Sequence, residues 1–194
     1  MKRRTLDLIL TSVGLVLTVG LLVAGGLLMW GATFANNSVH NQLEQQQIYF
    51  PPKAAFDHAA VGTEITPSMI PSVSQYAGEQ LLTGAQAQVY ANDFIAVHLK
   101  EIGGGKTYSQ LSTESMAQPN NTELATQVQL LFRGTTLRGL LLNAYAFSIF
   151  GTIALISSIV CFVLALLLAL LTVFGFIHYR KTPDDVEFPA PHAA

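Results

Sequence analysis

Residues 8–30 read LILTSVGLVLTVGLLVAGGLLMW, and residues 139–177 read GLLLNAYAFSIFGTIALISSIVCFVLALLLALLTVFGFI. Neither run contains Asp, Glu, Lys or Arg. An uncharged apolar stretch of about 18 residues or more reads as a membrane-spanning helix. Between the two runs lie roughly 100 residues of polar sequence. These runs set the expected fold class: an all-α membrane protein, with two antiparallel transmembrane helices forming a hairpin. A small, mostly helical extracytoplasmic domain is expected between them.

The two runs differ in length. The first holds 23 residues, about 34 Å of helix against a hydrocarbon core of about 30 Å. Basic residues precede it and Thr33-Phe34-Ala35 follows, as in a signal peptide. Signal h-regions run to about 7–15 residues, so an uncleaved span is the expectation. The second run holds 39 residues, about 58 Å of helix, so part of it must protrude. His178, Tyr179, Arg180 and Lys181 suit an inner interface. Counting back about 20–25 residues puts the outer boundary near Gly151 to Ser157. The expected segments are an N-tail over 1–7, a first span over 8–34 and an outer domain over 35–138. A juxtamembrane stalk over 139–150, a second span over 151–178 and a C-tail over 179–194 follow.

Lys2-Arg3-Arg4 precede the first span and Arg180-Lys181 follow the second. The positive-inside rule then puts both termini in the cytoplasm of a two-span protein of the cell membrane. Arg133 and Arg138 weigh against this orientation, but the two terminal flanks agree with each other. Charged residues make up 11% of the chain, against about 25% in soluble domains. The segment from Asn36 to Arg138 has five basic and eight acidic residues and no basic run, so nucleic acid is not an expected partner. The single cysteine, Cys161, lies within the second run. The outer segment therefore holds together without a disulfide, which points weakly to a bacterial envelope.

Small residues recur in both spans. Thr11, Thr18, Gly25 and Ala32 repeat every seven residues, with Gly14 and Ala35 at the companion position. Gly151, Ser158, Ala165 and Thr172 repeat likewise, with Ala154, Cys161 and Gly175 as companions. Small side chains let helix backbones approach closely, and a seven-residue period suits left-handed packing. An antiparallel hairpin would pair Thr11 with Thr172, Thr18 with Ala165, Gly25 with Ser158 and Ala32 with Gly151. The next layer would set Gly14 against Leu168 and Leu21 against Cys161. The same seam could instead form a homodimer face, and Gly, Ala, Ser and Thr are common in spanning helices anyway.

The middle segment reads as helices separated by breaks. The first span is expected to continue into a Gln-rich stretch and stop before Pro51-Pro52. A connector follows to Pro71, then a helix through about Leu82. Gly84 is read as a separator before a longer helix, Ala85 to Ile102, closed by Gly103-Gly104-Gly105. Thr107 with Gln110 has the capping-box spacing, and Asn121 is placed to cap the last helix.

Chemistry is harder to find. His40, His58 and His98 are scattered, with no HExxH or Cys/His cluster. Gly103 to Thr107 lacks the spacing of a phosphate loop. No catalytic residue, metal site or cofactor is expected. Arg133-Gly134 and Arg138-Gly139 recur five residues apart, and these arginines are candidates for contact with lipid phosphates or a partner's carboxylates. The plainer reading is interfacial anchoring with salt bridges to Glu101, Glu114 or Glu123.

The stretches YANDFIAVHLKEIGGGKTY (90–108) and LFRGTTLRGLLLNAYAF (131–147) resemble an uncharacterised family of two-span actinobacterial membrane proteins. The likeness covers the middle segment and both spans. It implies location and architecture. Some members carry the label of aromatic ring-opening dioxygenase, chemistry that needs two His and a carboxylate on one iron; no such set is recognisable in this chain. The resulting expectation is a non-enzymatic accessory or interaction subunit with membrane lipids and a membrane or envelope protein as partners. The alternative is a lipid-handling protein using a groove beside the bilayer.

Overall fold

A computed structural model describes residues 3–183. Lys2 and the tail carrying Asp184, Asp185 and Glu187 lie outside the described residues, so their expected cytoplasmic placement rests on sequence. The described chain is mostly helical, with seven α-helices in order: α1 (Arg3–Gln46), α2 (Lys53–Phe56), α3 (Ile70–Val73), α4 (Gly84–Val89), α5 (Ala96–Ile102), α6 (Tyr108–Ala117) and α7 (Thr122–Lys181). A π-helical segment, Tyr90–Ile95, joins α4 to α5. Among the described residues there is no strand, only an isolated antiparallel bridge between Tyr49 and Gln80.

The chain divides into two compact units, Met1–Thr33 with Thr152–Ala194, and Phe34–Gly151. In the first, α1 and α7 each contain a stretch long and apolar enough to cross a membrane. Only 11% of each apolar window is buried, whereas the core helix of a soluble protein would bury most of it. Val16, Leu27, Leu166 and Leu171 all stand exposed. Such a continuous aliphatic surface is unstable against water.

The second unit is built the other way. Its main core gathers Val39 and Leu43 of α1, Phe50, Ile65, Met69, Val73, Leu81, and Leu141 of α7. A ring ladder runs through it, Tyr76 to Phe50 to Tyr90 to Phe94 to His98, with neighbouring centroids 4.6–5.2 Å apart. A smaller cluster of Leu111, Leu124, Val128 and Leu131 joins α6 to α7.

Local sequence explains most boundaries. α1 ends where Gln47 turns left-handed at φ 50°, ahead of Pro51-Pro52. Lys100 O accepts from Gly105 N–H and Glu101 O from Gly104 N–H, the paired bonds of a Schellman end to α5. Thr107 and Gln110 cap α6 reciprocally, and Asn121 Oδ1 accepts from Leu124 N–H at the head of α7. Two expectations give way. The helix expected from Pro71 to Leu82 is a short composite, α3 followed by a 3₁₀ turn ending at Tyr76. Gly84 is not a separator but the first residue of α4, with Thr83 and Gln86 forming its capping box. Gly84 is buried, and a Cβ there would overlap the Ser148 side chain. Close approach, and not chain breaking, is what that glycine supplies.

Candidate functional site

Two sets of residues invite a functional reading: the small-residue seam of the first unit, and the cationic residues on α5 and α7 of the second. In the seam, Ser158 is fully buried and its Oγ donates to the Gly25 carbonyl at 2.8 Å. Ala165 is 1% exposed, and Thr18 is buried with its hydroxyl donating back to Gly14 O. A Cβ on Gly25 would sit 3.0 Å from the Phe162 ring. Ala32, Gly151 and Gly25 are buried, while Ala154 and Cys161 are half-buried.

Near the terminal end the register differs from simple like-to-like pairing. The atoms nearest a Cβ on Gly14 belong to Thr172, and Thr11 Oγ1 lies 3.0 Å from where a Cβ on Gly175 would be. The contacts run in opposite senses along the two segments, but each threonine sits against a glycine of the other helix. Facing Thr11 with Thr172 would bring two β-branched side chains into one gap; an offset of three residues fills each gap once. Gly14 accordingly faces Thr172 where Leu168 was expected.

Beyond the seam, the two basic flanks meet. Arg3 Nη2 is 3.4 Å from His178 Nε2, and Arg4 lies over the Tyr179 ring at 5.0 Å. Asp7 Oδ2 lies 3.8 Å from His178 Nε2 and 3.5 Å from the Thr182 hydroxyl that donates to it.

In the second unit the two arginines part company. Arg133 is exposed and makes no ion pair among the described residues. Arg138 Nη2 donates to Asn92 Oδ1 at 2.8 Å, and its Nε is shielded from water with no partner among the described residues. Glu114, an expected partner, binds Lys106 Nζ through both oxygens at 2.8 Å. Gly134 has a packing reason: a Cβ there would press on the Leu99 side chain. Asn92 lies in the π-helical segment, which no sequence pattern announces.

Three hollows flank these residues. A polar one is rimmed by Glu101, Glu114 and Glu123. An apolar groove of about 380 Å³ lies between Ser38–Ile48 and Leu137–Phe147, with no charged residue among its walls. A third, of about 360 Å³, brings together Lys100, Lys106 and Arg138 with Ser109 and Thr135. No group of three His, Cys, Asp or Glu among the described residues is placed to hold a metal ion. His98 packs edge-on against Phe94, and its Nδ1 is 2.9 Å from Phe94 O. Burial, and secondarily the Glu64 charge, push the Tyr90 phenol above its ordinary pKa. No family model, curated protein or solved structure matches the chain.

Proposed function

We propose that this chain is a two-span integral protein of the cell membrane, with both termini cytoplasmic. Residues 35–138 then form an extracytoplasmic helical domain that acts as a non-enzymatic interaction or accessory subunit, as the likeness to the two-span actinobacterial family also suggests. The observation that carries the membrane reading is the inversion of the first unit, which buries Thr18, Gly25 and Ser158 and exposes its Leu, Val and Ile. Lipid solvates such a surface without cost, and small residues then make the helix contact. The meeting of Arg3 and Arg4 with His178 and Tyr179 supports placing both termini on one side.

The topology is tested with a Cys161→Ala background carrying either Val61→Cys or Arg3→Cys. Val61 is 85% exposed in the middle segment. A membrane-impermeant maleimide should label position 61 in intact cells and position 3 only after lysis. Labelling of position 3 alone in intact cells would overturn the orientation. The subunit role is tested by purification in mild detergent, which should retain a protein partner in fixed ratio.

A second reading, lipid handling, is favoured by the uncharged groove between Ser38–Ile48 and Leu137–Phe147. Its walls suit an acyl chain, and the wall from Leu140 to Phe147 belongs to the apolar run that continues toward Ile177. Ala144→Trp would fill the groove. Native mass spectrometry should then show a retained lipid in the wild type and none in the variant.

A further inference from the structure

The cleft at Lys100 and Arg138 differs from the other two hollows in charge. Its walls hold three cations from three places: Lys100 on α5, Lys106 in the loop after it, and Arg138 on α7. Among the described residues no carboxylate lines it. Lys106 is already neutralised by Glu114, so the uncompensated charge belongs to Lys100 and Arg138. Lys100 is exposed and makes no ion pair among the described residues. Arg138 is held in place from behind by Asn92, while its Nε sees neither water nor an acceptor. A guanidinium whose Nε is shielded from water and lacks an acceptor gains from an anion nearby.

The remaining wall supplies donors. Thr107 opens α6 at the cleft, and its cap bonds occupy the Gln110 N–H. The N–H groups of Tyr108 and Ser109, the first two of the helix, have no partner within it. They add a partial positive charge on the side where the Ser109 and Thr135 hydroxyls also sit. Behind the polar groups lie Ala96, Leu99 and Leu131. The volume, about 360 Å³, exceeds what a bare anion needs and falls in the range of small-molecule sites, about 300–1,000 Å³.

We propose that this cleft binds a phosphate-bearing small organic molecule, its phosphate held between Lys100 and Arg138 and its organic body against Leu99 and Leu131. Two cations approaching from different elements, with hydroxyl and backbone donors between them, suit a tetrahedral multi-acceptor anion better than a planar carboxylate. The site does not depend on the membrane reading. It depends only on the packing of α5, α6 and α7 within one compact unit. The phosphate could arrive on a soluble metabolite or on a lipid headgroup. Arg138 precedes Gly151 by 13 residues of continuous helix, roughly 20 Å.

The test uses the full chain in neutral detergent, with inorganic phosphate as probe against chloride at matched ionic strength. Binding to the folded state raises the unfolding temperature by mass action. Phosphate should raise it, and Lys100→Glu, an exposed change that the fold tolerates, should weaken apparent affinity roughly tenfold or more. Arg138→Gln should do the same, and Arg133→Gln should leave it unchanged. In parallel, the chain is placed in phosphatidylcholine discs with and without phosphatidylglycerol. Stabilisation by free phosphate that Lys100→Glu removes assigns a soluble ligand. Stabilisation only by phosphatidylglycerol, again removed by Lys100→Glu, assigns a headgroup. No stabilisation by either, or stabilisation that Lys100→Glu leaves intact, overturns the proposal.

Discussion

The two compact units solve the same packing problem with opposite materials. Residues of the first bury Thr18, Gly25, Ser158 and Ala165 and turn Leu, Val, Ile and Phe outward. Residues of the second bury Phe50, Ile65, Met69 and Leu81 as a clustered aliphatic and aromatic core, although Val61, Met116, Leu140 and Phe150 stay exposed. The backbone in both is helical, so secondary structure does not make the difference. The solvent does. Where water surrounds the fold, burying a large aliphatic side chain is the main stabilising term. Where the surroundings are as apolar as leucine, that term vanishes, and close backbone contact with a few polar bonds takes its place.

The sharpest way to break the comparison is to truncate leucine in each unit. Leu81 is fully buried, so Leu81→Ala should cost about 2–5 kcal/mol through lost transfer energy and a residual cavity. Leu17 is 52% exposed on the first unit. Leu17→Ala in a lipid environment should change stability by less than about 0.5 kcal/mol, as expected for a site away from any packed feature. Chemical denaturation in bilayer discs, followed by circular dichroism, measures both. Equal losses at the two positions would remove the distinction between the units.

The next effect concerns the bond that replaces aliphatic burial. Ser158→Ala removes the donor to Gly25 O while keeping the small side chain. Interhelical hydrogen bonds of this kind average about 0.6 kcal/mol and reach about 1.7. Ser158 has no exposed surface, so a value toward the upper end is expected, read as weakened association in a steric-trap unfolding measurement. Thr107→Ala should cost a comparable amount, about 1 kcal/mol, at the capping box that opens α6 in the second unit. The first loss should grow in apolar surroundings, and the second should not depend on lipid at all.

Much of this architecture is legible in the amino-acid sequence. The two apolar runs, the capping pair Thr107 with Gln110 and the glycine stop after Ile102 each follow from short-range rules. The seam's seven-residue spacing was also legible, since packing between helices leaves a periodic trace in side-chain size. Its local register was not. Whether Thr11 faces Thr172 or Gly175 is decided by which offset fills both gaps, and that depends on two helices at once. Gly84 misled for a related reason: a glycine needed for close approach to Ser148 looks, in sequence, like one that breaks a helix. The cleft was half visible. Arg138 stood out, but Lys100 and the head of α6 join it only through the packing of three helices. Asn92, its direct partner, lies 46 positions away in the π-helical segment.

The smallest effect expected lies in the ring ladder of the second unit. Tyr90 packs against Phe50 and Phe94. Burial, then the Glu64 charge, raise its phenol pKa in the folded state. The fold thus favours the protonated phenol over the phenolate. Its contribution is complete below the unfolded phenol's value, about 10, and is lost as pH rises through the higher folded value. The wild type should therefore lose more stability between neutral and strongly alkaline pH than Tyr90→Phe, which keeps both ring contacts and cannot ionise. Glu64→Gln should lessen that difference without abolishing it, because desolvation is the larger cause. Denaturation midpoints across the alkaline range measure this, and parallel curves for wild type and Tyr90→Phe would show that the phenolate is as well solvated in the fold as outside it.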